Sequence, residues 1–184
     1  MKRPYLHRKE GDSEMHFMWC AVHVGDGYEA KTESFVSGLL PASLNAHCFH
    51  LTRSRRKKYG GQWQTIREKL LPGYIFITTD RPEAVYRELK KVPEPKLLFS
   101  REDSVSVLEE QESDFMGKIA DESGEIGISR VKVSDEGDIV FLSGPLLQVG
   151  ELVRKVDLHK RIAKVETDFM GKRQTLYLGI EIEQ

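Results

Sequence analysis

"KLLPGYIFI", residues 69–77, decides the fold. Pro72 and Gly73 interrupt whatever precedes them, because a Pro–Gly pair is turn chemistry, and "YIFITT" then reads as a strand of aromatic and β-branched residues. Before the break, "CFHLTRSRRKKYGGQWQTIREKLL" reads as a hairpin turning at Gly60–Gly61. Further upstream, "FMWCAVHV" (17–24) alternates Trp19, Ala21 and His23 with Cys20, Val22 and Val24, as a strand does. "GDG" punctuates it, and "YEAKTESFVSGLL" puts Phe35, Val36, Leu39 and Leu40 on one helical face. Downstream, Asp80 is placed to cap a helix through Lys91, with Pro82 in its first turn and Val85 and Leu89 four apart. "PKLLFS" (95–100) is strand-like, and "SVLEEQESDFMGKI" opens with Ser106 and Glu109 at capping-box spacing. The order β-α-β-β-β-α-β-α predicts a compact α+β domain over residues 15–117, an antiparallel sheet with helices.

Residues 1–14 are charged and aperiodic and read as a flexible extension, and Met15 as an alternative internal start. Residues 118–135, polar with Gly124 and Gly127, read as a linker. From 136 to 184 the pattern changes to short β segments only, "DIVFLSG", "ELVRKVD", "RIAKVET" and "QTLYLGIEI", spaced as in a small β-barrel. Two domains of different character are expected.

Charge is segregated along the chain. Residues 1–101 carry 18 Lys and Arg against 11 Asp and Glu, residues 102–126 carry one against nine, and residues 127–184 carry nine of each. The formal net charge of −1 therefore hides basic segments able to reach an acidic polymer. No apolar run approaches the roughly 20 residues of a membrane-spanning helix, and the charged N-terminus has no signal-peptide core. With two cysteines, Cys20 and Cys48, a disulfide scaffold is not expected, and a cytoplasmic, monomeric protein with no membrane partner is.

Three stretches together resemble one family. A first strand opening at Trp19, the Leu-Pro-Gly-Tyr of residues 71–74, and "GDIVFLSGPL" (137–146) leading into "VRKVDLHKRIAKVE" (153–166) are similar, in order and spacing, to NusG-type transcription elongation factors. The resemblance covers roughly residues 17–182 and implies an N-terminal NusG-type α/β sandwich followed by a C-terminal KOW β-barrel. It further implies that the first domain grips the clamp helices of RNA polymerase's largest subunit, with Trp19, Leu71 and Tyr74 at the matching positions.

The His-Lys-Arg turn at 159–161 resembles the specialised LoaP branch, antiterminators of long operons, whose barrel holds a nascent RNA hairpin. The corresponding RNA-contact candidates are Arg154, Lys155, His159, Lys160, Arg161, Lys164, Lys172 and Arg173. Long cations in turns extend toward phosphates, and Arg adds forked contacts. Three positions depart from the housekeeping pattern: Glu151 stands where Gly is usual, Met170 where an aromatic precedes the turn, and Lys91-Val92-Pro93-Glu94 where many members carry Asn-Thr-Pro-Gly. A housekeeping member whose barrel binds Rho or a ribosomal protein is therefore the alternative to the RNA reading, and sequence-specific reading of non-template DNA is not carried over.

"RSRRKKYGGQW" (53–63) is the densest basic run, and Arg53, Arg55, Arg56, Lys57 and Lys58 are candidates for upstream DNA. Cys20, His23, His47, Cys48 and His50 raise the rival of a metal-dependent enzyme, but their spacing fits no zinc-finger pattern. There is no nucleophile elbow or phosphate-cradling loop, so neither catalysis, nor a cofactor, nor a metal is expected.

Overall fold

The computed structural model describes residues 17–91 and 105–183. In chain order these form β1 (Met18–His23), α1 (Glu29–Leu39), β2 (His47–Phe49), β3 (Thr52–Tyr59), β4 (Gln62–Lys69), β5 (Tyr74–Thr79), α2 (Pro82–Lys90), β6 (Val105–Val107), α3 (Glu110–Ile119), β7 (Glu125–Ile126), β8 (Ser129–Val133), β9 (Ile139–Ser143), β10 (Val153–Asp157), β11 (Ile162–Phe169) and β12 (Lys172–Ile182). Among the described residues they fall into two compact units, one drawn from 17–51, 71–91 and 105–113, the other from 52–70 and 114–183. The expected extension at 1–14 and the strand expected at 95–100 lie outside the described residues.

The first unit is built on an antiparallel sheet in the order β2-β5-β1-β6. The two central strands are apolar on both faces, which is why Trp19 through Val22 are all buried where simple alternation suggests a half-exposed strand. On one face Cys20, Val22, Ile75 and Ile77 meet Val36 of α1 and Val85 and Leu89 of α2. The opposite face carries Trp19, edge-on to Phe49 and Phe76 at ring-centroid distances of 5.2 and 6.0 Å. Pro82 takes the first position of α2, where a missing N–H costs nothing, and Thr79 Oγ1, rather than Asp80, accepts the Arg81 N–H (3.0 Å). Phe35, expected on the buried face of α1, is 46% exposed. One residue before Val36 is a rotation of about 100°, enough to turn Phe35 off the buried stripe.

The second unit combines a five-stranded sheet, β10-β11-β12-β8-β9, with a three-stranded one, β4-β3-β7. The four β segments expected after residue 136 all form as β9 to β12. Three expectations change. The hairpin β3–β4, with its turn at Gly60 and Gly61 in left-handed conformation as expected, belongs with the second unit rather than with the first. Its backbone crosses β12 at Gly179, where a Cβ would stand 2.4 Å from the Ser54 carbonyl oxygen and 2.7 Å from Arg55 Cα. The segment 118–135 is not all linker: β8 pairs parallel to β12 and antiparallel to β9, with Val131 fully buried. Charged Arg130 and Lys132 masked that alternation. Finally, Val105–Val107 is strand, so the cap of α3 moves from Ser106 to Glu109, whose N–H donates to Glu112 Oε2 (2.9 Å).

Candidate functional site

In the first unit the Leu-Pro-Gly-Tyr turn is fixed by a residue that the sequence did not single out. Gly73 takes φ +84°, as the third position of a type II turn after Pro requires. Its N–H donates to Glu29 Oε1 (2.7 Å), and its carbonyl accepts the Val24 N–H (2.8 Å). Glu29 Oε2 accepts the Gly27 N–H (2.9 Å), so one carboxylate, 1% exposed, ties the "GDG" loop, the start of α1 and the turn before β5 together. A Glu in the first turn of a helix is favoured by the helix dipole anyway, so no sequence signal distinguished it.

That bracing holds Leu71 and Tyr74 half-buried at the turn into β5, of which Tyr74 is the first residue. The Tyr74 ring meets His23, its cross-strand partner, edge-on at 4.9 Å, and Tyr28, 46% exposed, lies against Gly25 in the neighbouring loop. Trp19, the third position of the expected docking patch, is 0% exposed and cannot present a surface to a partner. It belongs to the core because β1 is central and covered on both faces.

In the second unit the candidate cations divide by partner. Arg53 and Arg55 hold Glu68 from the opposite strand, at 3.3 and 2.9 Å, and Arg53 Nη1 also donates to the Tyr177 carbonyl (2.5 Å). Burial pushes the Glu68 carboxyl up, but hydrogen bonds and charges from Arg55 and Arg53 outweigh it and hold it below its ordinary value. Arg56 reaches Glu181 (3.4 Å) and donates to Thr65 (2.9 Å), and Lys57 lies over the Tyr59 ring. Of the cations in that run, Lys58 alone has neither an ion pair nor a ring contact among the described residues.

The turn expected to meet RNA is partly occupied. Asp157 Oδ1 accepts the Lys160 N–H (2.8 Å), and Arg161, at φ +55°, lays its guanidinium 5.1 Å from the centre of the Trp63 ring. The two basic runs, far apart in sequence, are thus brought together at Trp63 and Arg161. On the strands, Lys164 pairs with Glu166 (2.5 Å), which also draws Arg173 (3.6 Å) and Arg154 (3.8 Å). The hydrogen bond and charge of Glu166 raise the Lys164 pKa, and Lys164 in turn lowers that of Glu166. Lys155, His159 and Lys172 are exposed and have no ion-pair or hydrogen-bond partner among the described residues. A phosphate can reach these three without first breaking an internal ion pair.

The Cys/His set does not converge. Cys20 and Cys48 both pair in register with Ile77, from opposite sides of β5, and both are free thiols. Burial pushes Cys20 up to about 11, and burial, then Glu33, pushes Cys48 up to about 12. His50 is tied to Glu33 through Nδ1 (2.5 Å) and its backbone N–H (3.0 Å). Among the described residues no group of three or more His, Cys, Asp or Glu side chains is arranged to hold a metal ion. Nor is any described helix long and apolar enough to cross a membrane.

No protein-family profile matches the chain, and no curated protein does. Among solved structures, the chain is similar to one described as "Domain interaction in Thermotoga maritima NusG", at 18% identity and a TM-score of 0.41, over 90% of this chain and 94% of that one.

Proposed function

We propose that the chain is a NusG-type transcription elongation factor of the specialised, RNA-reading kind. The first unit docks on the clamp helices of RNA polymerase through the Leu71–Tyr74 turn, and the second holds a nascent RNA hairpin, so that polymerase reads through terminators. Two placements support this reading: exposed Tyr28 and half-buried Leu71 and Tyr74 on the braced edge of the first unit, and the basic residues Lys58, Lys155, His159 and Lys172, which have no partner among the described residues, on the second. An apolar edge on a rigid turn suits a helical protein partner, whereas cations free of carboxylates suit phosphates. Lys57 and Lys58, at the hairpin tip, are the proposed contacts to upstream DNA. The protein acts as a monomer and performs no catalysis of its own.

The test is transcription in vitro with purified polymerase, on templates carrying a leader hairpin ahead of a terminator. Readthrough should rise with the protein and fall back when the hairpin is deleted. Readthrough indifferent to the hairpin, with the protein binding Rho or a ribosomal protein instead, would place it with the housekeeping members. Failure to bind polymerase would remove both readings.

A further inference from the structure

Across β10, β11 and β12, three residues stand directly opposite one another: Lys155 faces Lys164, and Lys164 faces Tyr177. Directly paired residues of neighbouring antiparallel strands project from the same face, with Cβ atoms about 5 Å apart. Here that face is the outer one, since Ala163, Val165, Leu176 and Leu178, which alternate with the row, are all buried. Two lysines directly opposite each other repel, so folding alone disfavours this pairing. Glu166 offsets Lys164, while Lys155 has no partner among the described residues.

Tyr177 ends the row with 43% of its surface exposed. Its position is set from behind and from one side. Its carbonyl accepts Arg53 Nη1 (2.5 Å), and the β3–β4 hairpin crosses the same face of β12 two residues away, at Gly179. The result is a flat aromatic ring held on a rigid strand, with a cation on the neighbouring strand and a second one strand further. A single-stranded nucleotide uses such a set: a ring on which to stack its base and an ammonium group for a flanking phosphate.

Resting on the function proposed above, we infer that Tyr177 is the stacking platform for one unpaired base of the RNA hairpin loop, with Lys155 taking a flanking phosphate while Lys164 stays paired with Glu166. The turn at 159–161 and Lys172 then contact the stem. Stem contacts are blind to sequence, and the Tyr177 contact makes the site require a loop.

The test uses the full chain and a pool of stem–loop RNAs with a fixed stem and a randomised loop. The wild type should capture stem–loops in preference to the same stem closed as a blunt duplex. Tyr177→Ala should bind a captured stem–loop about tenfold or more weakly, the effect of losing one stacked base, with an unchanged melting curve. Tyr177→Phe should bind nearly as wild type. An abasic nucleotide at the contacted loop position should weaken the wild type similarly and leave Tyr177→Ala unaffected. If the wild type captures no stem–loop, the RNA function itself falls and this inference with it. If it captures stem–loops but Tyr177→Ala binds equally well, or Tyr177→Phe is weakened as much as Tyr177→Ala, the stacking platform alone is overturned. Equal binding to the blunt duplex likewise overturns it.

Discussion

Glu29 is the residue whose removal should most affect the first unit at the least change in apolar packing. Its carboxylate is 1% exposed and accepts two backbone N–H groups, from Gly73 at 2.7 Å and Gly27 at 2.9 Å. In Glu29→Ala the Gly73 N–H stays buried without an acceptor, at a cost of about 1–3 kcal/mol, and the Gly27 N–H, in an exposed loop, turns to water and loses about 1 kcal/mol. The helix dipole loses a favourable charge at its N-terminus as well, worth about 0.3–1 kcal/mol. Together these predict a loss of about 2–5 kcal/mol. Glu29→Gln should cost about half as much, because one of its two acceptors becomes an NH₂ facing an N–H. The chain has two tryptophans, so a Trp63→Phe background leaves buried Trp19 as the reporter of the first unit. In urea the midpoint should fall by about 1–2 M at unchanged slope. Polymerase affinity should fall further than stability explains, because the turn that carries Leu71 and Tyr74 loses its brace. A Glu29→Ala variant within about 0.5 kcal/mol of wild type would refute the reasoning, since it would mean that water reaches the Gly73 N–H.

Leu71→Ala with Tyr74→Ala should abolish polymerase capture while the circular dichroism spectrum is retained, and retained capture would move the docking surface elsewhere. Gly179→Ala should destabilise the second unit by about 1–3 kcal/mol or more, read in chemical denaturation, because the Cβ meets the backbone of Ser54 and Arg55 and neither can swing away. Glu68 has its folded pKa held below the ordinary 4.5, so the stability it adds is present above that value and is lost as pH falls through the folded pKa. Melting temperature followed down from pH 5 should fall less steeply in Glu68→Gln. Replacing Lys155 and Lys172 by Ala should lower the slope of log affinity against log salt by roughly 0.7–0.9 for each phosphate no longer neutralised, whereas Arg161→Ala should also loosen the hairpin held at Trp63. Identical salt slopes for wild type and Lys155→Ala/Lys172→Ala would show that these cations do not meet phosphates.

Elements whose information is local could be read from the chain directly. Pro72–Gly73 and Gly60–Gly61 set turns through backbone chemistry that neighbours cannot change, and Val85 and Leu89 marked the buried side of α2 through spacing alone. The strands β9 to β12 were legible because short segments with apolar and β-branched residues recur about every ten residues between polar turns. Which surfaces those elements cover was settled only by folding. Trp19 is core because β1 lies between β5 and β6 with both faces covered, a fact of strand order that no single strand records. The hairpin β3–β4 joins the second unit because Gly179, far along the chain from Gly60, leaves room for its backbone. Which cations remain for a phosphate was likewise beyond the sequence. Arg53, Arg55 and Lys164 look like Lys58 and Lys155 in a charge count, and only the folded chain brings Glu68 and Glu166 against the first three. Composition fixes how many charges a protein has, but long-range contacts settle which of them are already neutralised, because an ion pair acts only over the few ångströms that folding closes.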